Sequence, residues 1–231
     1  MFVPPKSYNE MLPMLHKATF FITLIFCFVL VVFGYIPLIG INAKYIPPVK
    51  DYDTLIKWML TFGIIPVVIA VVCTILSGAL DLHNNVAKLL FIRKLWDKFL
   101  IIDPLARLAG VDRALNSEES FLVMNKLYYP EVNGLPDKHY VELFWNKVYY
   151  FWVFFEHTII AILVSTVITA CRVFSYLKVE GDISKLWYWV AFLLVLNAAI
   201  FLLSVRPRTK SQVRQISVDN IKKFFKDNHL E

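Results

Sequence analysis

Four long apolar runs constrain this chain more than any other feature of its sequence. They cover residues 18–36, 58–80, 148–171 and 185–205. Each is at least as long as the roughly 17 residues that an α-helix needs to cross the hydrocarbon core of a bilayer. A segment in lipid must satisfy its own backbone hydrogen bonds, so such runs predict helices. We therefore predict an all-α integral membrane protein with four transmembrane helices in two hairpins.

The composition agrees with this prediction. The chain is 58% hydrophobic and 18% charged, with a mean hydropathy of +0.58, whereas soluble domains average about 25% charged residues. The first run is too long for the apolar region of a signal peptide and lacks a small-residue cleavage site. We expect it to remain in the protein as a span.

Lysine and arginine are distributed unevenly between the two sides of the predicted spans. The N-terminal segment, the stretch 81–147 and the tail 206–231 together hold 18, while the two remaining loops hold six. By the positive-inside rule this places both termini and the central stretch in the cytoplasm. The predicted parts are an interfacial N-terminal helix at 1–17, hairpins at 18–80 and 148–205, a helical cytoplasmic region at 81–147 and a basic tail at 206–231.

Local signals refine the predicted helices. Ser7 and Glu10 have capping-box spacing, and Pro13 then predicts a kink or a restart of that helix. Gly63 and Pro66 predict a kink in the second span. Further helices are expected to begin at Asp103–Pro104, at Asn116 or Ser117, and at Asp137, the last running unbroken into the third span.

The stretch FFEHTII, residues 154–160, places Glu156 and His157 inside the third span. His157 begins an i+4 stripe that continues through Ala161, Ser165 and Thr169. Asn197 lies as far from the inner end of its span as Glu156 does, so we expect it to hydrogen-bond Glu156 or His157. Intramembrane ionisable groups mark ion or proton pathways, and the alternative is a neutral polar knot that holds helices together. The predicted pore or polar site is Glu156, His157, Ser165, Thr169 and Asn197.

Six cations lie close together in the cytoplasmic stretch, interleaved with Trp96 and Phe99. Attraction to anionic headgroups is the ordinary explanation of such charge. The functional alternative is a pocket for a nucleotide or oligonucleotide, with cations for phosphates and aromatic rings for bases. The predicted ligand-binding residues are Lys88, Arg93, Lys94, Lys98, Arg107 and Arg113.

Signals for enzymes, metals and disulfides are weak. There is no HExxH, Walker loop or GxSxG motif, so we expect neither an enzyme nor a cofactor. Asp81 and His83 with His139 and Glu142 form a less favoured metal-site alternative. Cys27, Cys73 and Cys171 all lie in or at the end of spans, where small apolar packing residues are expected.

The layout of two hairpins, a helical cytoplasmic middle and almost no outer domain resembles the four-helix membrane effectors and sensors of bacterial antiphage systems, such as the Hailong and Kiwa membrane subunits. This resemblance implies a homo-oligomer, with a tetramer as the guess, and a channel-like effector gated from the cytoplasm by a nucleotide or oligonucleotide ligand or by a soluble defence partner. Because four helices enclose little space, we expect several copies to place the His157 stripe on a common axis.

The alternatives are a membrane anchor that recruits a soluble effector and, less favoured, a proton-coupled transporter or membrane enzyme. Lipids and further copies of the chain are the other expected partners.

Overall fold

The computed structural model of the chain describes residues 5, 7–36, 51–134, 139–174 and 181–230, without the side chains of 139 and 140. These ranges contain helices and no strand, which confirms the predicted all-α class for them. With π-helical turns counted as part of the helix they interrupt, the helices are α1 Tyr8–Val32, α2 Tyr52–Ala79, α3 Leu82–Leu89, α4 92–109, α5 117–134, α6 His139–Val173, α7 Ile183–Val213 and α8 Val218–Asp227.

Four of these helices, α1, α2, α6 and α7, are long and apolar enough to cross a membrane. Each contains most of one predicted apolar run. Helix α6 has 35 residues without a break, so the prediction of one long helix entering the third span is confirmed. Ser7 Oγ accepts a hydrogen bond from the Glu10 N–H at 3.3 Å, which is the predicted cap of α1.

Prolines explain where the long helices widen. The π-helical turns of the described ranges each end two residues before a proline: Met59–Ile64 before Pro66, Lys98–Ile102 before Pro104, Val123–Tyr128 before Pro130 and Phe201–Val205 before Pro207. A proline ring clashes with the carbonyl four residues earlier. In all four helices that carbonyl lies within the π turn, whose wider ring moves it away from the proline. The helix therefore continues past the proline.

This behaviour corrects two predictions. Asp103–Pro104 was expected to begin a separate helix, but α4 runs through both residues by way of its π turn. Pro13 was expected to kink or restart the first helix, yet α1 is one helix from Tyr8 to Val32. Pro13 lies near the helix N-terminus, where the carbonyl it would clash with belongs to the first turn. Helix α1 therefore has no boundary between this segment and the first apolar run, while the interfacial position predicted for residues 1–17 stays a prediction.

The chain divides into two compact units. The first, here called the bundle, comprises the described residues of Leu12–His83 and Trp152–Asn197. Its apolar core brings α1, α6 and α7 together through Phe26, Leu30, Ala161, Ile168, Leu186, Val190 and Leu193. Helix α2 leaves a broad apolar surface exposed, formed by Val67, Val68, Val71, Val72, Ile75 and Leu76. A surface of that kind is stable in hydrocarbon and costly in water.

The second unit, here called the short-helix unit, comprises the described residues of Met1–Met11, Asn84–Phe151 and Ala198–Glu231. The ring of Trp96 packs edge-to-face against Phe144, Phe151 and Phe201, with centroids 5.2–6.4 Å apart. The predicted cap at Asn116 is confirmed as a capping box with Glu119.

Candidate functional site

Glu156 lies on α6 in the interior of the bundle with no exposed surface. Its Oε2 accepts a hydrogen bond of 2.9 Å from the Thr19 hydroxyl of α1. Its other oxygen, Oε1, is buried and has no hydrogen-bond partner within the described ranges. Burying a polar atom without a partner costs free energy comparable to a lost hydrogen bond or more. The carboxyl group is thus half satisfied by the protein itself.

His157, the next residue, is 5% exposed and lies among aromatic rings. It packs edge-to-face against Phe26 of α1 at 5.2 Å and Trp189 of α7 at 6.4 Å between centroids. Its Nδ1 is buried and forms no hydrogen bond with any described residue. The imidazole therefore also keeps one polar atom available in the bundle interior.

The stripe that follows His157 is also covered by its own chain. Ala161 and Ser165 are fully buried, and the Ser165 hydroxyl has no partner among the described residues. Thr169 donates to the Ser165 carbonyl at 2.7 Å and accepts from Trp187 Nε1 at 3.3 Å. Ala161 and Ser165 are thus covered within the protomer and Thr169 is half-buried, whereas the sequence suggested that the stripe faces an axis between copies. The arrangement of copies stays a prediction.

Asn197 is buried on α7 but does not reach Glu156 or His157, so the predicted pairing was wrong. Its side-chain N–H groups donate to Thr158 Oγ1 at 2.6 Å and to the Leu193 carbonyl at 3.0 Å. Equal depth along antiparallel helices does not decide which side chains meet, and Thr158 is the α6 side chain that Asn197 contacts. Asn197 Oδ1 has no partner among the described side chains and backbone.

Two residues of this polar layer, Thr19 and Thr158, were missed in the sequence. The sequence signal for Thr19 is its place in a series with four-residue spacing along α1. The series is Leu15, Thr19, Thr23, Cys27 and Val31, and each of these side chains is under 5% exposed. Two threonines in such an apolar stripe indicate a polar partner on the facing helix. Thr23, Thr61 and Ser77 of the bundle also each carry a buried polar atom with no described partner. Interior polar atoms of this kind are normally satisfied by buried water.

The basic stretch forms a cleft of about 890 Å³ in the short-helix unit. Four of the six predicted cations line it together: Lys88, Arg93, Lys94 and Lys98. The aromatic rings on its wall are Phe91, Phe121 and Tyr129, which were not predicted. Phe121 and Tyr129 come from α5, more than twenty residues away in the chain, so spacing within the basic stretch does not reveal them.

The other two predicted cations lie elsewhere. Arg107 and Arg113 line a separate pocket of about 240 Å³ with Asp103 and Asp112. Arg113 donates to both Glu119 oxygens, at 2.8 and 2.9 Å. The hydrogen bonds from Arg113 and from the Asn116 backbone lower the pKa of Glu119 to about 2. Arg113 is therefore already engaged in holding α5 to the chain before it.

The cleft contains one acidic side chain. Burial raises the pKa of Asp97 to about 6, and the nearby Arg93 guanidinium opposes that rise. Burial also raises the pKa of Tyr129, so its phenol stays neutral. The cleft thus combines fixed positive charge with one carboxyl that titrates near neutral pH.

The structure offers limited support for a metal site. His83 Nε2 lies 3.6 Å from Asp81 Oδ1, and the side chain of His139 lies outside the described residues. Within the described ranges, no three potential ligands come together. Cys27, Cys73 and Cys171 are free thiols.

The comparisons with known proteins agree with each other. The chain matches the model of the YmfE protein family over residues 7–227. It is 55% identical over 230 residues to the Escherichia coli (strain K12) protein named "Uncharacterized protein YmfE", covering 100% of this chain and 98% of that one. No solved structure matches. The resemblance in layout to antiphage subunits stays a prediction. The chain belongs to the YmfE protein family.

Proposed function

We propose that the chain is a multi-pass protein of the bacterial inner membrane that conducts protons or small cations through the bundle past Glu156. The observation that carries the proposal is the fully buried Glu156, whose Oε1 has no partner among the described residues. An ionisable group at such a position is costly in a membrane and is a functional-site hypothesis by default.

The neighbours of Glu156 extend the site along α6. Ser165 follows nine residues later, about 13 Å along the helix axis, and Asn197 and Thr23 lie on the facing helices with polar atoms that also lack described partners. Hydroxyl, carboxyl, imidazole and amide groups can each hold a water molecule in place. A file of such waters passes protons from one group to the next.

This proposal changes the expected role of oligomerisation. Because the polar stripe is buried within one chain, the path needs no partner copy to enclose it. A homo-oligomer, control from the cytoplasmic side by a ligand or partner, and a part in antiphage defence stay predictions. Their support is the charge distribution and the resemblance in layout.

Flux measurements test the proposal. The purified protein is reconstituted into liposomes with an internal pH dye, and proton entry is driven by a potassium gradient with valinomycin. We expect the wild type to dissipate the gradient and Glu156→Gln to reduce the rate at least about tenfold, the range in which single proton-transfer groups act. Glutamine keeps an acceptor for Thr19, so the bundle should stay folded.

A matched pair of neighbours controls for nonspecific effects. Ser165→Ala removes a buried hydroxyl that lacks a described partner, whereas Thr166→Val removes an exposed hydroxyl that bonds the Ile162 carbonyl of its own helix. We expect the first to slow flux and the second to leave it unchanged. Equal flux in wild type and Glu156→Gln would contradict the site. A wild type without flux would favour the membrane-anchor alternative, which predicts co-purification with a soluble partner.

A further inference from the structure

The basic cleft of the short-helix unit has the size and lining of a small-molecule site. Its volume of about 890 Å³ lies within the 300–1,000 Å³ of most ligand pockets. Four cations and one carboxyl line it, which leaves three net positive charges when Asp97 is ionised. Such an excess suits an anion with more than one negative charge and far exceeds what a single carboxylate needs.

The aromatic wall adds a second requirement. Phe91 and Phe121 are 62% and 71% exposed, so neither ring is needed to fill a core. They stand in the same cleft as the cations, where a ring face can contact a planar or apolar group of a bound molecule. Asn116, Ser117 and Asn125 supply further hydrogen-bonding groups on the wall.

The backbone at Phe91 supports a role for its ring. Phe91 joins α3 to α4 with a φ of 55°, in the left-handed region. This conformation costs a residue with a Cβ about 1 kcal/mol or more relative to glycine. A turn needed for its shape alone would be more stable with glycine, yet this chain places an exposed aromatic ring there.

We infer that this cleft binds a phosphate-bearing ligand, with Lys88, Arg93, Lys94 and Lys98 around the phosphate and Phe91 and Phe121 against the group attached to it. Cationic side chains form short, strong hydrogen bonds with phosphate oxygens. The binding stands on the cleft itself and does not require conduction through the bundle. The phosphate has two sources, a soluble nucleotide or a lipid headgroup.

Binding measurements on the full chain test this inference and distinguish the sources. In the first arm, the protein in non-ionic detergent is titrated with ATP and with inorganic phosphate by calorimetry. In the second arm, it is placed in nanodiscs of phosphatidylglycerol or of phosphatidylcholine, and co-purifying lipid is measured by native mass spectrometry. The test variants are Lys94→Gln and Phe91→Gly, and the control is Lys226→Gln on α8, which lies outside the cleft.

ATP binding that Lys94→Gln weakens about tenfold, the effect of one lost charged hydrogen bond, would support the inference with a soluble source. Phosphatidylglycerol retained by the wild type and lost in Lys94→Gln would support it with a lipid source. Phe91→Gly relieves the left-handed backbone, so a folded variant with weakened binding would assign the ring to the ligand. If the protein binds none of ATP, phosphate and phosphatidylglycerol in a way that depends on Lys94, the inference is overturned. Equal losses in Lys226→Gln would also overturn it, because general charge would then explain the binding.

Discussion

The bundle and the short-helix unit differ in how many of their fully buried polar side chains find a partner, although Gln215 Oε1 of the short-helix unit also lacks one among the described residues. In the bundle, Glu156, His157 and Ser165 each keep a buried polar atom with no described partner. In the short-helix unit, the buried Tyr128 hydroxyl donates to Gln212 Oε1 at 2.9 Å, and the buried Thr209 donates to the Val205 carbonyl at 3.1 Å.

The difference separates polar groups that serve the fold from polar groups that serve another purpose. A buried hydrogen-bonded pair contributes modestly to stability, and leaving one member alone costs more than the pair contributes. Alanine at position 165 would fill nearly the same space without burying an unpartnered hydroxyl, so stability alone does not account for Ser165. The unsatisfied atoms of the bundle are thus places for bound water, which the proposed proton path needs, whereas the satisfied pairs of the short-helix unit serve the fold.

The largest effect on stability is expected in the apolar packing of the short-helix unit. Phe225 on α8 is fully buried next to Ile221, so Phe225→Ala should lower the free energy of unfolding by about 3–5 kcal/mol. Thermal unfolding in detergent measures this. The neighbouring Phe224→Ala is the control and should cost clearly less, because Phe224 is only half-buried. Equal losses would contradict the packing of α8.

Removing one hydroxyl from each unit tests the comparison itself. Tyr128→Phe leaves the buried Gln212 oxygen without its donor and should cost about 1–3 kcal/mol. Ser165→Ala removes an atom that lacks a described partner, so stability should stay level or rise slightly. The same unfolding measurement serves both variants. A larger loss for Ser165→Ala than for Tyr128→Phe would reverse the interpretation of the two units.

A smaller effect is expected at the satisfied bond within the bundle. Thr158→Val removes the acceptor of the 2.6 Å bond from Asn197, and such bonds between membrane helices average about 0.6 kcal/mol. Thr166→Val on the exposed side should cost less still. A loss of several kcal/mol for Thr158→Val would show that the polar layer stabilises the bundle. That result would support the alternative in which these groups form a neutral polar knot between helices.

A separate prediction concerns how stability depends on pH. Burial raises the pKa of Asp97 to about 6, although the nearby Arg93 guanidinium acts to lower it. The phenols of Tyr128 and Tyr129, which lie near Asp97, stay neutral. The folded carboxyl thus binds its proton more tightly than the unfolded one, whose pKa is near 3.9. Its contribution to stability is present at low pH, falls as pH rises from about 4 to about 6, and is constant above that. The melting temperature of Asp97→Asn should vary less over this window, and an unchanged pH profile would contradict the assignment.

Much of the fold could be predicted from the sequence because long apolar helices are set by local composition. The four apolar runs and the long α6 needed no tertiary information. The helix through Asp103 and Pro104 was missed because a proline after a capping residue is typical of a helix start. A π turn keeps the chain helical there by moving one carbonyl away from the proline ring. The spacing of residues does not predict whether such a turn forms before a given proline.

The sequence predicted which residues belong to the sites better than it predicted which of their side chains contact each other. Glu156, His157, Ser165 and Asn197 are all buried in the bundle, as expected for polar residues of a helix that crosses a membrane. Which of them meet depends on the rotation of each helix, so Thr19 rather than Asn197 contacts Glu156. Lys88 to Lys98 share a cleft because they are close in the chain, while Phe121 reaches it through the packing of α5.

The most direct test of the central claim is water access to Ser165. In a background with Cys27, Cys73 and Cys171 changed to alanine, Ser165→Cys and Thr166→Cys are treated in liposomes with a small water-soluble methanethiosulfonate reagent. A thiol reacts as the thiolate, which forms in water and not in hydrocarbon. We predict that Ser165→Cys reacts at least about tenfold faster, although residue 165 is buried in the protein and residue 166 is exposed. An inert Ser165→Cys, or a faster Thr166→Cys, would show that the polar layer is dry and would contradict the account.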